Sequence, residues 1–126
     1  MSCVYMSNAE NQMKYSRLEV NVGHTVKLLC NTSLSREIMW AYDSDDDDGY
    51  VDYVYWEGRI DSDKPRLFVK RTKDDHHILF ISDAQMNNSG LYDCYDGEGV
   101  RKIGYRLIVN GMFYDAVLNC YCKRKG

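Results

Sequence analysis

Side chains able to bond, ligate or attack are spaced in this chain so that most reactions are ruled out. The thiols are Cys3, Cys30, Cys94, Cys120 and Cys122. They form no Cys-x-x-Cys pair, and His24, His76 and His77 do not fall at a zinc-ligand spacing, so no metal site is expected. Disulfide chemistry is what remains for them, and it belongs to oxidising compartments. Serine, histidine and aspartate are present without a nucleophile motif such as Gly-x-Ser-x-Gly, so the chain reads as a non-enzyme. The run Asp43, Asp45, Asp46, Asp47, Asp48 carries oxygens of the kind calcium takes. It lacks the ordered ligand alternation of an EF-hand, and reads instead as a solvated, self-repelling loop. No cofactor is expected.

Two basic clusters, Lys70-Arg71-x-Lys73 and Lys123-Arg124-Lys125, are of a kind that can hold sulfated glycans or nucleic acid. A net charge of -3 gives no general pull toward nucleic acid. A glycosaminoglycan therefore ranks behind protein as a partner. N-glycosylation sequons stand at Asn31-Thr32-Ser33 and Asn87-Asn88-Ser89.

The segments that must position these residues are short and β-like. Leu18, Val20 and Val22 alternate with polar residues, as do Val26, Leu28 and Cys30, and then Ile38, Trp40 and Tyr42. Further apolar or aromatic runs cover Tyr50 to Trp56, Leu67 to Val69, Ile78 to Ile81, Leu91 to Tyr95 and Ile103 to Val109. Turn residues separate them. Roughly eight or nine strands at this spacing predict an all-β sandwich or barrel. Residues 1–14 read as a polar arm and 15–110 as the folded domain. The segment 111–126 is an extension or the start of a further segment, in which Phe113, Val117 and Leu118 could share one helical turn. A chain of 126 residues is long enough for one hydrophobic core. The N-terminus shows no apolar run of a secretion leader, and no stretch is apolar enough to enter a membrane directly. Either the chain is cytosolic, or it is a piece of a larger secreted or membrane protein.

Four pieces then align: Gly23-x-x-Val26-x-Leu28-x-Cys30, Trp40, Leu79-x-Ile81-x-x-Ala84, and Asn88-Ser89-Gly90-Leu91-Tyr92-Asp93-Cys94. Together they resemble strands B, C, E and F of an immunoglobulin-superfamily domain of the variable or intermediate set, over about residues 15 to 110. The resemblance implies an immunoglobulin-like two-sheet antiparallel β-sandwich. It implies a Cys30–Cys94 disulfide across the core, with Trp40 packed against it, Leu79 and Ile81 inside, and Tyr92 forming a tyrosine corner. The family's usual Asp is Asn88 here, which puts its salt bridge with an arginine of strand D in doubt. With Cys30 inward, Asn31 faces out, and Asn87 falls on the E–F turn. Both sequons are then usable in a secretory protein, which favours an extracellular location over a cytosolic one. Cys3 is expected to pair with Cys120 or Cys122, leaving one thiol for another chain or domain.

Such domains usually recognise proteins, and fold alone does not name the partner. One expected surface, on the G-F-C-C′ sheet, presents Met39, Ala41, Tyr53, Tyr55, Trp56, Tyr95 and Ile108. The other sheet presents Leu29, Ile78 and Phe80, to be covered by a terminal arm or by a partner. The expected role is an extracellular recognition module in cell adhesion or receptor–ligand signalling, with a cell-surface or secreted protein as partner, or a second copy of itself. The alternatives are a structural spacer and an ancillary domain of a receptor kinase or matrix enzyme.

Overall fold

A computed structural model describes residues 15–31, 37–44, 51–61, 66–72, 76–115, 117 and 119–123. Expectations for the arm 1–14 with Cys3, for Asp45 to Asp48, and for Lys73, Arg124 and Lys125 lie outside the described residues. So do the side chains of Cys120, Cys122 and Lys123.

The period-2 pattern becomes burial directly. In β2 (Val26–Asn31) Val26, Leu28 and Cys30 are buried, and Lys27, Leu29 and Asn31 are exposed. In β7 (His76–Ile81) His77, Leu79 and Ile81 point inward. With β6 (Leu67–Arg71) these make a three-stranded antiparallel sheet in the order β2-β7-β6. The second sheet has six strands, in the order β1-β9-β8-β3-β4-β5. They are β1 (Ser16–Asn21), β9 (Arg101–Asn110), β8 (Gly90–Asp96), β3 (Ile38–Ser44), β4 (Val51–Trp56) and β5 (Arg59–Ile60). Trp40, Tyr42, Tyr92, Leu107 and Val109 face the first sheet from it, and the two apolar faces form one core. The molecule is thus an all-β immunoglobulin-like sandwich.

Cys30 and Cys94 are bonded across that core, with Cα atoms 6.4 Å apart and a separation of 64 positions in sequence. Trp40 lies opposite Cys94 in the β3–β8 register and is fully buried in the same cluster. The Tyr92 hydroxyl donates to the Asn88 carbonyl at 2.6 Å, which is the tyrosine corner. Asn88 itself ends a 3-10 turn, Met86–Asn88, and its side-chain oxygen accepts the Gln85 N–H at 2.8 Å. The arginine pairing moves to Asp83, whose carboxylate lies 3.8 Å from Arg66 Nε at the exposed surface.

Two features depart from the expected architecture. β1 runs parallel to β9, Ser16 opposite Tyr105 through Asn21 opposite Asn110, so the sandwich is antiparallel except at this edge. The chain then turns at Gly23, where Gly23 N–H donates to Ala84 O and Ala84 N–H to His24 O, and crosses to the other sheet. The tail forms no helical turn in its described part. β10 (Met112–Asp115) pairs antiparallel with β11 (Cys120–Lys123). The segment is too short for a stable helix, and its Phe and Tyr residues suit a paired strand.

Candidate partner-binding faces

The outer face of the six-stranded sheet has a polar centre and an aromatic edge. At the centre, β8 turns Asp93 outward between the inward-facing Tyr92 and Cys94, and β9 places Gly104 opposite it. Arg101 Nε donates to Asp93 Oδ1, and the Tyr15 hydroxyl donates to Asp93 Oδ2 at 3.1 Å. The Arg101 guanidinium lies over the Tyr15 ring, 4.6 Å from its centroid. A Cβ on Gly104 would run into Arg101, Asp93 and Tyr15 together, so the missing side chain makes the notch this cluster fills. Burial and the adjacent Asp93 charge raise the Tyr15 pKa. Burial works against the charge on Arg101, but its bond to Asp93 and that carboxylate's charge prevail and raise the Arg101 pKa. The cluster is a fixed ion pair with an aromatic lid, and it offers no free base or nucleophile.

At the edge, β4 exposes Val51 (51%), Tyr53 (54%) and Trp56 (59%). The Tyr53 and Trp56 rings are 6.5 Å apart. Trp56 opens a two-residue turn to β5 in which Glu57 and Gly58 both have positive φ, 52° and 75°. That geometry suits the twist of paired strands and holds the indole at the edge of the hairpin. Met39 and Tyr95 are opposite one another in the β3–β8 register and half-buried, and Ile108 is half-buried as well.

Two expected surface residues turn out otherwise. Ala41 is buried: a methyl group in a central strand is shadowed by its cross-strand neighbours Asp93 and Tyr53. Tyr55 packs partly against the core, because the register slips between Trp40 and Ala41 and brings Tyr55 opposite Trp40. The apolar reading of β4 missed Val51, which strand alternation with Tyr53 would have found. It also missed the Tyr15–Asp93–Arg101 cluster, whose first bond joins residues 78 apart in sequence and leaves no local signal.

The outer face of the three-stranded sheet is apolar along its middle. Leu29 (40%) and Phe68 (46%) are exposed, and Ile78 and Phe80 are half-buried. Phe68 and Phe80 stack with centroids 4.8 Å apart and planes 4° from parallel. Lys27 Nζ sits 5.8 Å from the Phe80 centroid. Asn31 and Asn87 are both exposed. Among the described residues no cluster of His, Cys, Asp and Glu is arranged to hold a metal ion, and no helix could cross a membrane.

Residues 12–110 match the immunoglobulin V-set domain family. The chain is similar in structure to one from the ZIG-8–RIG-5 IG1–IG1 heterodimer, with a TM-score of 0.59 and 17% identity over 82% of this chain and 89% of that one. It is also similar to a marsupial T cell receptor chain, with a TM-score of 0.61 and 24% identity over 79% of this chain. It spans 50% of that receptor chain's length. No curated protein matches it in sequence.

Proposed function

From the premise that this chain belongs to the immunoglobulin V-set family, we propose that it is an extracellular recognition module that binds another protein through the outer face of its six-stranded sheet. The observation that carries this reading is the exposed Val51–Tyr53–Trp56 strip on β4 beside the fixed Asp93–Arg101 pair. Tyr, Trp and Arg are the residues that most often dominate binding energy at interfaces. A rigid aromatic edge loses little rotamer freedom on docking. The ion pair, already held by Tyr15, can set orientation without being ordered at the moment of contact. Adhesion or receptor–ligand signalling on a cell surface, or in the secreted state, is the role such a face fits, and catalysis is not.

In the ZIG-8–RIG-5 complex the two proteins pair IG1 to IG1. The first partner to try is therefore a domain of the same kind, including a second copy of this chain. The test combines sedimentation equilibrium of the chain alone with a binding screen against extracellular immunoglobulin-type domains. Tyr53→Ala with Trp56→Ala is expected to weaken the captured complex about 30-fold or more, the size of a hot-spot loss. Unchanged affinity in that folded double variant, or a chain that captures nothing while monomeric, would reject this reading and favour a spacer.

A further inference from the structure

We infer that the apolar outer face of the β2-β7-β6 sheet is the bed of an N-linked glycan on Asn31, whose N-acetylglucosamine core lies along Leu29, Ile78, Phe80 and Phe68. The inference rests on passage through the secretory pathway, as the recognition reading does, but it concerns the opposite face. Asn31 ends β2 as an exposed residue and begins the sequon Asn31-Thr32-Ser33. It shares the outward side of the strand with Leu29 and Lys27. Register sets three rows across the sheet: Asn31 beside His76, Leu29 beside Ile78 and Lys70, and Lys27 beside Phe80 and Phe68. At about 3.4 Å per residue, the second and third rows lie about 7 and 14 Å from Asn31. Two linked sugars cover that span.

The chemistry of the bed matches such a ligand. A pyranose ring has an apolar C–H face, which is favourably removed from water against apolar side chains. Leu29 and Ile78 offer the first sugar an aliphatic floor, and the second meets the outward edges of Phe68 and Phe80, whose ring faces are turned to each other. Lys27 and Lys70 flank the band, with ammonium donors for hydroxyl and acetamide oxygens. An apolar strip of this kind on a soluble domain calls for a cover. The cover proposed here is tethered one strand row away. The second sequon has another explanation. Of its two defining residues, Ser89 serves the fold, its Oγ accepting the Val109 N–H at 2.9 Å.

The chain is to be secreted behind a leader from cells that add N-glycans, and its glycopeptides mapped. Asn31 is expected to be occupied, with sugar protons in nuclear Overhauser contact with the Leu29 and Ile78 methyls. Enzymatic removal of the glycan from the folded protein, and separately Ser33→Ala, should each raise anilinonaphthalene sulfonate fluorescence severalfold. Adding Phe68→Ser to Ser33→Ala should bring it back down. A secreted chain with its Cys30–Cys94 bond formed and Asn31 bare overturns the glycan and leaves the recognition face standing. Unchanged dye binding after deglycosylation also overturns it, since a terminal arm or a second protein would then hold the face. Free thiols at Cys30 and Cys94 would instead count against the extracellular reading itself.

Discussion

Gly90 shows why single positions in the Asn88-to-Cys94 motif cannot be exchanged. Its φ is 150°, and an added Cβ would lie 2.5 Å from the Asp43 carbonyl oxygen and 2.8 Å from Tyr42 Cε1. The absence of that carbon lets β8 close onto β3, and it brings the Tyr42 and Tyr92 rings to a centroid separation of 4.7 Å. Both phenols then fasten the same turn: Tyr42 Oη donates to Ser89 O at 2.7 Å, and Tyr92 Oη to Asn88 O at 2.6 Å. Tyr92→Phe should cost about 1–2 kcal/mol, the value of a buried bond whose acceptor is left unpaired. Gly90→Ala should cost more, about 2–4 kcal/mol, since backbone must move. Urea unfolding of the three proteins checks the order. Alkaline pH tests a different pair of phenols. Burial raises the pKa of Tyr105 above 10.0, and burial with the Asp93 charge does the same for Tyr15. The folded state therefore holds these protons more tightly than the unfolded chain. The stability they contribute is complete below pH 10.0 and is lost as pH rises through the raised values. Urea midpoints should fall from pH 9 toward pH 11, less steeply in Tyr105→Phe. Motif residues such as Tyr92 were legible because neighbours two apart share a face. Gly104 was not, because its role depends on Tyr15 and Arg101 meeting over it in three dimensions.

At the scale of elements, the β4–β5 hairpin is where local preference and tertiary demand disagree. Its turn residues Glu57 and Gly58 both need positive φ. Glycine adopts that freely, whereas glutamate at 52° is strained by about 1 kcal/mol. Asparagine tolerates the conformation better. Glu57→Asn should therefore stabilise the domain by up to about 1 kcal/mol, read as a higher melting temperature with unchanged circular dichroism. A lower melting temperature would mean that the Glu57 side chain makes a contact worth more than the strain. β2, with Lys27 and Asn31 outward of Val26, Leu28 and Cys30, could be placed from alternation, whereas β7 is apolar on both faces from Ile78 to Ile81 and was legible only as an apolar run. β1 could be seen as a strand, but its parallel pairing with β9 could not, since one strand's residues do not encode the direction of its neighbour. The β10–β11 pair was hidden by Phe113, Val117 and Leu118, whose spacing fits either a helical turn or a hairpin in so short a segment.

Across the whole molecule, the sandwich is closed by one covalent cross-link among the described residues and by a core with Trp40 at its centre. The bond joins β2 of one sheet to β8 of the other, across an interface held by side-chain packing and by the Tyr105 hydroxyl, which donates from β9 to the Leu29 carbonyl of β2. Its loss should act on the molecule as a unit and spare neither face. Cys30→Ala with Cys94→Ala releases a loop of 64 residues in the unfolded chain and leaves a gap beside Trp40. Removing a native disulfide from a small domain costs about 2–5 kcal/mol, so the melting temperature should fall by about 10–20 °C. The two sheets should fail together, because neither buries its inner face without the other. Tryptophan fluorescence reports the interior through Trp40, and far-ultraviolet circular dichroism reports the strands. Coincident transitions by the two probes are expected in the intact and the cross-link-free protein alike. Separate transitions in the variant would mean that the six-stranded sheet, with its ion pair and aromatic edge, is a stable body without the β2-β7-β6 layer, and that the disulfide fastens two units where a single core was inferred.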